Sequence, residues 1–166
     1  PYTTLSICLT LLQTTKKSSN RSSVRSMIIA DTGFWLALAN RRDRHHGRAA
    51  AWLRNLDAPL ICTWPVVTET VYLLLHRVGA LAQRQFLESH ARGAFEVFDI
   101  GRHHVDRLVE LMEKYEDLPM DLADASLVLL SESLGHGRIL STDERDFGIY
   151  RCKQQEPFEN LLSHDP

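Results

Sequence analysis

Apolar and polar positions follow two alternating rhythms along this chain. Short continuous apolar runs recur at Met27–Ala30 ("MIIA"), Leu60–Thr63 ("LICT") and Arg138–Ser141 ("RILS"). Each is bounded by acids or turn formers and reads as a buried strand. Phe95–Ile100 ("FEVFDI") alternates apolar and polar residues, as a half-buried strand does, and a weaker final strand is expected near Phe158–Leu162. Between these runs the spacing is helical. Thr32–Ala39 is apolar enough to begin a helix, and Asp43–Leu56 carries Ala49, Ala50, Trp52, Leu53 and Leu56 on helical spacing. Trp64-Pro65 opens a helix that passes Val71, Leu74, Leu75 and Val78 and stops at Gly79. Leu81–Ala91, His103–Tyr115 and Asp121–Leu134 follow, the last ending at Gly135. Strand–helix alternation with short connections predicts an α/β protein, a three-layer α/β/α sandwich around a central, mainly parallel sheet.

Acids interrupt this pattern at particular places. The first strand stops at Asp31, and the apolar run resumes almost at once with Phe34 and Trp35. An isolated carboxylate is costly to bury, so such an acid is solvated, caps a helix or meets a cation. In parallel sheets, sites form beyond the carboxyl ends of the strands. Asp143 follows the "RILS" strand after Thr142, so Asp31 and Asp143 are expected at one sheet edge. Asp121 and Asp124 share a helix face in "DLADASLVLL". Asp121 reads equally as an N-cap, whereas Asp124 is embedded among Leu122, Ala123, Ala125, Leu127 and Val128. Glu69 lies in the nearly apolar "WPVVTETVYLLL", either on an exposed stripe with Thr68 and Thr70 or as a further member of the acid set. If these carboxylates converge, repulsion raises their pKa values unless a cation is present. Oxygen-only ligands suit Mg²⁺ or Mn²⁺ rather than zinc. Such an ion polarises a phosphate, activates water and stabilises charge on a leaving oxygen.

Composition narrows the reading only slightly. The 166 residues suffice for one domain with a core, and 19 basic against 21 acidic residues do not advertise a nucleic-acid binder. No apolar run reaches the length of a membrane span. Cys8, Cys62 and Cys152 are few and far apart, which fits a reducing, cytoplasmic setting better than a disulfide framework; Cys62 reads as core and Cys152 as incidental. Residues 1–26 contain the Ser/Arg/Lys-rich stretch "KKSSNRSSVRS" and read as a disordered or non-native extension, with Met27 as the natural start. Residues 27–162 are then the single domain and 163–166 a tail. The histidine pairs His45-His46 and His103-His104 fall on polar helical stretches. Neighbours on a helix point apart and chelate poorly, so both pairs read as solvated faces.

Taken together, "IIADTG", "VVTETVYLL", "DLADASLVLL" and "ILSTDERDF" resemble, in order and spacing, the PIN-domain ribonucleases, especially the toxin arm of VapBC-type toxin–antitoxin pairs. The resemblance spans Met27 to Leu161. It implies a metal-dependent endoribonuclease with Asp31, Glu69, Asp124 and Asp143 as catalytic metal ligands for Mg²⁺ or Mn²⁺. Asp121 would add an outer contact or merely cap, and Asp146 is an alternative for the fourth position. Thr32 and Ser141 hold the family's small hydroxyl positions, which orient carboxylates. The implied partners are an RNA substrate, a small antitoxin and a second copy of the chain as a homodimer, with no membrane. Trp35, Leu38 and Trp52 either serve such a partner or belong to the core.

Arg41, Arg42, Arg44 and Arg48 form a basic patch after the Asp31 segment, and Arg145 and Arg151 lie just past Asp143. Such a rim could hold RNA phosphates, or be an ordinary solvated face. Single-stranded or loop RNA is the expected substrate. Two rival readings are a catalytically idle PIN-like module that only binds RNA or protein, and a receiver-type signalling domain. The second lacks support: Asp31 is followed by Thr32 rather than an acid, and no Lys lies between Lys114 and Lys153.

Overall fold

The computed structural model describes residues 27–118, 120–152 and 156–164. The expectations for residues 1–26, including Cys8, and for the end of the tail lie outside the described residues. Strand β1 is Ile28–Ala30, β2 Leu60–Thr63, β3 Phe95–Phe98, β4 Arg138–Leu140 and β5 Glu159–Asn160. The α-helices are α1 (Thr32–Ala39), α2 (His46–Asn55), α3 (Trp64–Arg77), α4 (Ala80–Ala91), α5 (Val105–Lys114), α6 (Leu122–Leu134) and α7 (Glu144–Ile149). Short 3₁₀ turns occupy Arg102–His104 and Leu161–Ser163.

The strands form one sheet in the order β3-β2-β1-β4-β5, and every pairing between them is parallel. Central parallel strands are covered on both faces, so their sequences are continuously apolar rather than alternating. Ile28, Ile29 and Ala30 of β1 are all buried, as are Leu60, Ile61 and Cys62 of β2. The edge strand β3 is buried only at Phe95 and half-buried beyond it, which explains its alternating sequence. Chain order runs outward from β1 to β2 and β3, then returns to β4 on the other side of β1. The topological switch point therefore lies between β1 and β4, where open α/β sheets hold their ligands.

Trp35 anchors the core. Its ring lies 5.4 Å from Phe86 and 4.8 Å from Phe95, joining α1 to α4 and β3. Helix α1 packs on α2 and α3, α3 also on α4 and α6, and α6 on α5 and β2. Helix α6 is buried along nearly its whole length, from Ala123 to Leu134. It ends where Gly135 takes a left-handed conformation (φ 79°), which a side chain would oppose.

The structure revises several expectations. Asp43–His45 form a turn, so α2 starts at His46. Asp43 Oδ1 accepts from the His45 backbone N–H, which favours that turn over helix. His103 and His104 lie at the 3₁₀ turn rather than on an α-helix, and their rings are 3.8 Å apart. Helix α7, with one buried apolar residue, Phe147, was not expected. Trp35 and Leu38 are fully buried and belong to the core, not to a partner surface. Trp52 is half-buried and its indole N–H donates to the His164 carbonyl. Cys152 is buried rather than incidental, and a Cβ at Gly137 would press on its sulfur.

Candidate active site at the carboxyl edge of the sheet

The strand registers set out the site. Ala30 of β1 is level with Leu140 of β4, so Asp31 and Ser141, one residue on, meet at the switch point. Asp31 is the N-cap of α1: Oδ1 accepts from Thr32 N at 2.6 Å and Oδ2 from Gly33 N at 3.4 Å. The Ser141 hydroxyl donates to Asp31 Oδ2 at 2.7 Å and accepts from Asp143 N at 2.9 Å. One serine thus ties the first acid to the loop carrying the fourth. Asp143 in turn caps α7, accepting from Asp146 N at 2.9 Å. A Cβ at Gly33 would collide with the Thr142 side chain, so the glycine allows α1 to begin against this loop.

Asp121 caps α6, accepting from Asp124 N at 2.9 Å. Capping brings Asp121 and Asp124 together at the helix start, which also favours negative charge there. Asp124 Oδ2 accepts from the Tyr150 hydroxyl at 3.1 Å. Glu69 is half-buried on α3, nearly two turns beyond the end of β2.

The charges of these acids act on one another. Burial pushes the Asp31 carboxyl up to about 6, and the Glu69 charge adds to the rise. Burial also pushes Asp124 up to about 7, helped by the charges of Asp121, Asp31 and Asp146. Asp146 is raised by burial and by Asp143. Its Oδ1 is buried without a hydrogen-bond partner, and the Arg145 Nε stands 3.8 Å away. The Glu69 charge thus acts on Asp31, the charges of Asp121, Asp31 and Asp146 on Asp124, and that of Asp143 on Asp146. Among the described residues, no three of them stand together as a finished metal cage. The couplings place them within electrostatic range, in an open cluster.

The donor set is all oxygen, which suits a hard divalent cation. Two carboxyls held near neutrality by burial and repulsion, with one orphaned carboxylate oxygen, form the environment that a cation relieves. The chain matches the PIN domain over residues 28–151. The chain belongs to the PIN-domain family.

It is similar to Ribonuclease VapC26 of Mycobacterium tuberculosis, at 29% identity over 124 residues, covering 75% of this chain and 92% of that protein. Its fold is similar to the crystal structure of Mycobacterium tuberculosis VapC20, a sarcin–ricin loop cleaving toxin. There the TM-score is 0.66 and the identity 21%, with 71% of this chain and 91% of that chain covered. No helix among the described residues is long and apolar enough to cross a membrane.

Other residues of this PIN domain fall where the sequence did not announce them. The Thr32 hydroxyl accepts from Thr70 Oγ1 at 3.5 Å, so Thr32 meets Asp31 through its backbone N–H rather than its side chain. Tyr150 is buried, its ring against Tyr115 and Phe147, and its hydroxyl fixes Asp124. Burial and the neighbouring acids raise its own pKa, so it remains a donor. Asn160 brackets Ser141: its Nδ2 donates to the Ser141 carbonyl at 3.0 Å, and its Oδ1 accepts from Ser141 N at 3.2 Å. Beside Asp143 an open cleft of about 730 Å³ is lined by Arg44, His45, Arg48, Thr142, Glu144 and Arg145. Arg41 and Arg42 are exposed but do not line it. Arg151 does not face it either; its guanidinium donates to the carbonyls of Gly148, Ile149 and Tyr150 and so closes the end of α7.

Proposed function

We propose that this PIN domain is a metal-dependent endoribonuclease and the toxin of a toxin–antitoxin pair. One observation carries the reading: at the switch point Asp31 is buried, is gripped by Ser141, meets the charge of Glu69 and itself acts on Asp124, so that burial and repulsion push its carboxyl up to about 6. A fold retains such a cost when the group works. Kinship with a ribonuclease that spans nearly all of the domain supports the same reaction.

Asp31, Glu69, Asp124 and Asp143 would hold Mg²⁺ or Mn²⁺, with the free oxygen of Asp146 beside them. The ion would supply Lewis acidity at the phosphodiester and lower the pKa of the attacking water. The protein's own groups do the positioning. Ser141 holds Asp31, Tyr150 holds Asp124, and Asn160 holds Ser141. Asp121 keeps the start of α6 in place as its cap. Arg44, Arg48 and Arg145 line the cleft next to Asp143 and would bind flanking RNA phosphates. Arg48 is already oriented, since its guanidinium donates to the Leu162 carbonyl at 3.1 Å. Loop or single-stranded RNA is the substrate class, because its backbone can bend into an open cleft. A small antitoxin and a second copy of the chain would use exposed apolar positions such as Tyr72, Leu75 and Leu81, since Trp35 and Leu38 are core.

The test is RNA cleavage by the full chain with Mg²⁺ or Mn²⁺, with EDTA, and with Asp124→Asn in parallel. Metal-dependent cleavage lost in both controls is expected. A wild type that binds RNA but cuts none at any metal concentration, with the antitoxin absent, would leave the binding-module reading in its place.

A further inference from the structure

The arginine cleft lies on one flank of the acids, toward β4 and α7. The opposite flank, toward β2 and β3, carries different chemistry. Register places Thr63 level with Phe98, so the residues just past them, Trp64 and Asp99, are neighbours at the same carboxyl edge as Asp31. The Trp64 indole N–H donates to Asp99 Oδ1 at 3.1 Å. The His90 ring, itself tied to the Phe95 carbonyl at 3.0 Å, meets the indole edge-on with centroids 5.8 Å apart. Two contacts from separate elements thus fix a large aromatic ring that remains 46% exposed. The core did not require this. Position 64 opens α3 and needs no bulky side chain there, while the core-facing residues of that turn are Val66 and Val67.

The other exposed apolar side chains of this region, Tyr72, Leu75 and Val78, lie farther along α3, away from the sheet edge. Trp64 alone among them stands at the edge itself. Adjacent strands are about 5 Å apart, so position 64, just past β2, stands about one strand spacing from Asp31, just past β1, within reach of a nucleotide next to the scissile phosphate. The exposed carboxylate of Asp99 beside it disfavours a phosphate there and leaves the position to a base.

We propose that Trp64, held by Asp99 and His90, is a stacking platform for an unpaired RNA base. A single strand then crosses the sheet edge with its phosphates on Arg44, Arg48 and Arg145 on one side and a base on Trp64 on the other. This rests on the ribonuclease reading and deepens it, assigning its preference for unpaired RNA to a named residue. A duplex keeps its bases stacked on each other and cannot offer one to the indole.

The chain has three tryptophans; Trp35 is buried and Trp52 half-buried. Trp64 is the most exposed of the three, and Trp64→Ala separates its emission from that of Trp52, which lies one turn after Arg48. The full chain, in Ca²⁺ to fill an oxygen site, is titrated with a short single-stranded RNA and with the matching duplex. Binding is read separately by polarisation of labelled RNA and by tryptophan emission. Expected results are quenching by the single strand but not the duplex, loss of that quenching in Trp64→Ala, and affinity weaker by about tenfold or more in that variant. Trp64→Phe, which keeps a smaller ring, should fall between the two and controls for folding. If the wild type binds single strands but Trp64→Ala binds equally well and emission is unmoved, the platform is overturned while the nuclease reading stands. If no RNA binds the wild type at all, both fall.

Discussion

Replacing Asp31 with Asn should stabilise the metal-free protein while abolishing its activity. Asp31 is buried and its carboxyl is pushed from 3.8 up to about 6, first by burial and further by Glu69. A carboxyl raised on folding is penalised in its charged form. The folded state therefore loses stability as pH rises from the unfolded pKa through the folded one, and nothing is lost below both. The rise of about two units corresponds to roughly 3 kcal/mol above pH 6. Asn keeps the acceptor for Thr32 N and carries no charge to desolvate; its amide nitrogen gives up the weak 3.4 Å bond from Gly33 N and can donate to the Ser141 hydroxyl instead of accepting from it. It also removes one of the charges that raise Asp124. In EDTA at pH 8 the variant should exceed the wild type by about 3 kcal/mol, read as a Tm roughly 9 °C higher for a domain of this size. The gap should close by about pH 4, where both side chains are neutral. Added Mn²⁺ should stabilise the wild type and leave the variant nearly unmoved. Thermal or urea unfolding from pH 4 to 8, with and without EDTA, measures all of this. A variant less stable than the wild type at pH 8 in EDTA, or a difference that ignores pH, would refute the reasoning.

Other residues give further checks. Tyr150→Phe keeps the ring packed on Tyr115 and Phe147 but removes the donor to Asp124. Because that bond favours ionised Asp124, the acid limb of the pH–rate profile should move to higher pH, with kcat down about tenfold. Asn160→Ala frees Ser141 and the Leu162 N–H together; a stability loss of about 2 kcal/mol is expected, seen as a Tm roughly 6 °C lower. Arg44→Ala removes a cleft charge, so the slope of log affinity against log salt for single-stranded RNA should become shallower by about 0.7, with folding unchanged.

The acids were legible in sequence because each breaks a local pattern. Asp31 ends an apolar strand, Asp124 interrupts an apolar helix, and Asp143 follows a third apolar run. Strand order then needs only the rule that parallel sheets place such ends together. The supporting residues left no comparable trace. Tyr150 meets Asp124 across 26 positions and Asn160 meets Ser141 across 19. Tyrosine near an apolar stretch reads as core, and here it is core as well as donor. Helix α7 leaves no trace in the sequence because six residues with one buried phenylalanine carry no helical period. The basic rim divided for similar reasons: Arg44, Arg48 and Arg145 share a cleft because α2 and the β4 loop meet, whereas Arg151 turns back on its own helix end. Trp64 was visible only as the start of a helix. Its exposure beside Asp99 depends on the β2–β3 register.

The central claim is that these carboxylates form a metal centre for RNA cleavage, and proton release on metal binding tests it most directly. Ions bind the deprotonated forms. With Asp31 at about 6 and Asp124 at about 7, the metal-free site at pH 6.5 holds about one proton between them. Calorimetric titration of the full chain with Mn²⁺, in buffers of different ionisation enthalpy, counts the protons displaced. Release of about one proton at pH 6.5, almost none at pH 8.5, and loss of binding in Asp124→Asn are expected. Binding without proton release that survives Asp31→Asn and Asp124→Asn would place the ion elsewhere and contradict it.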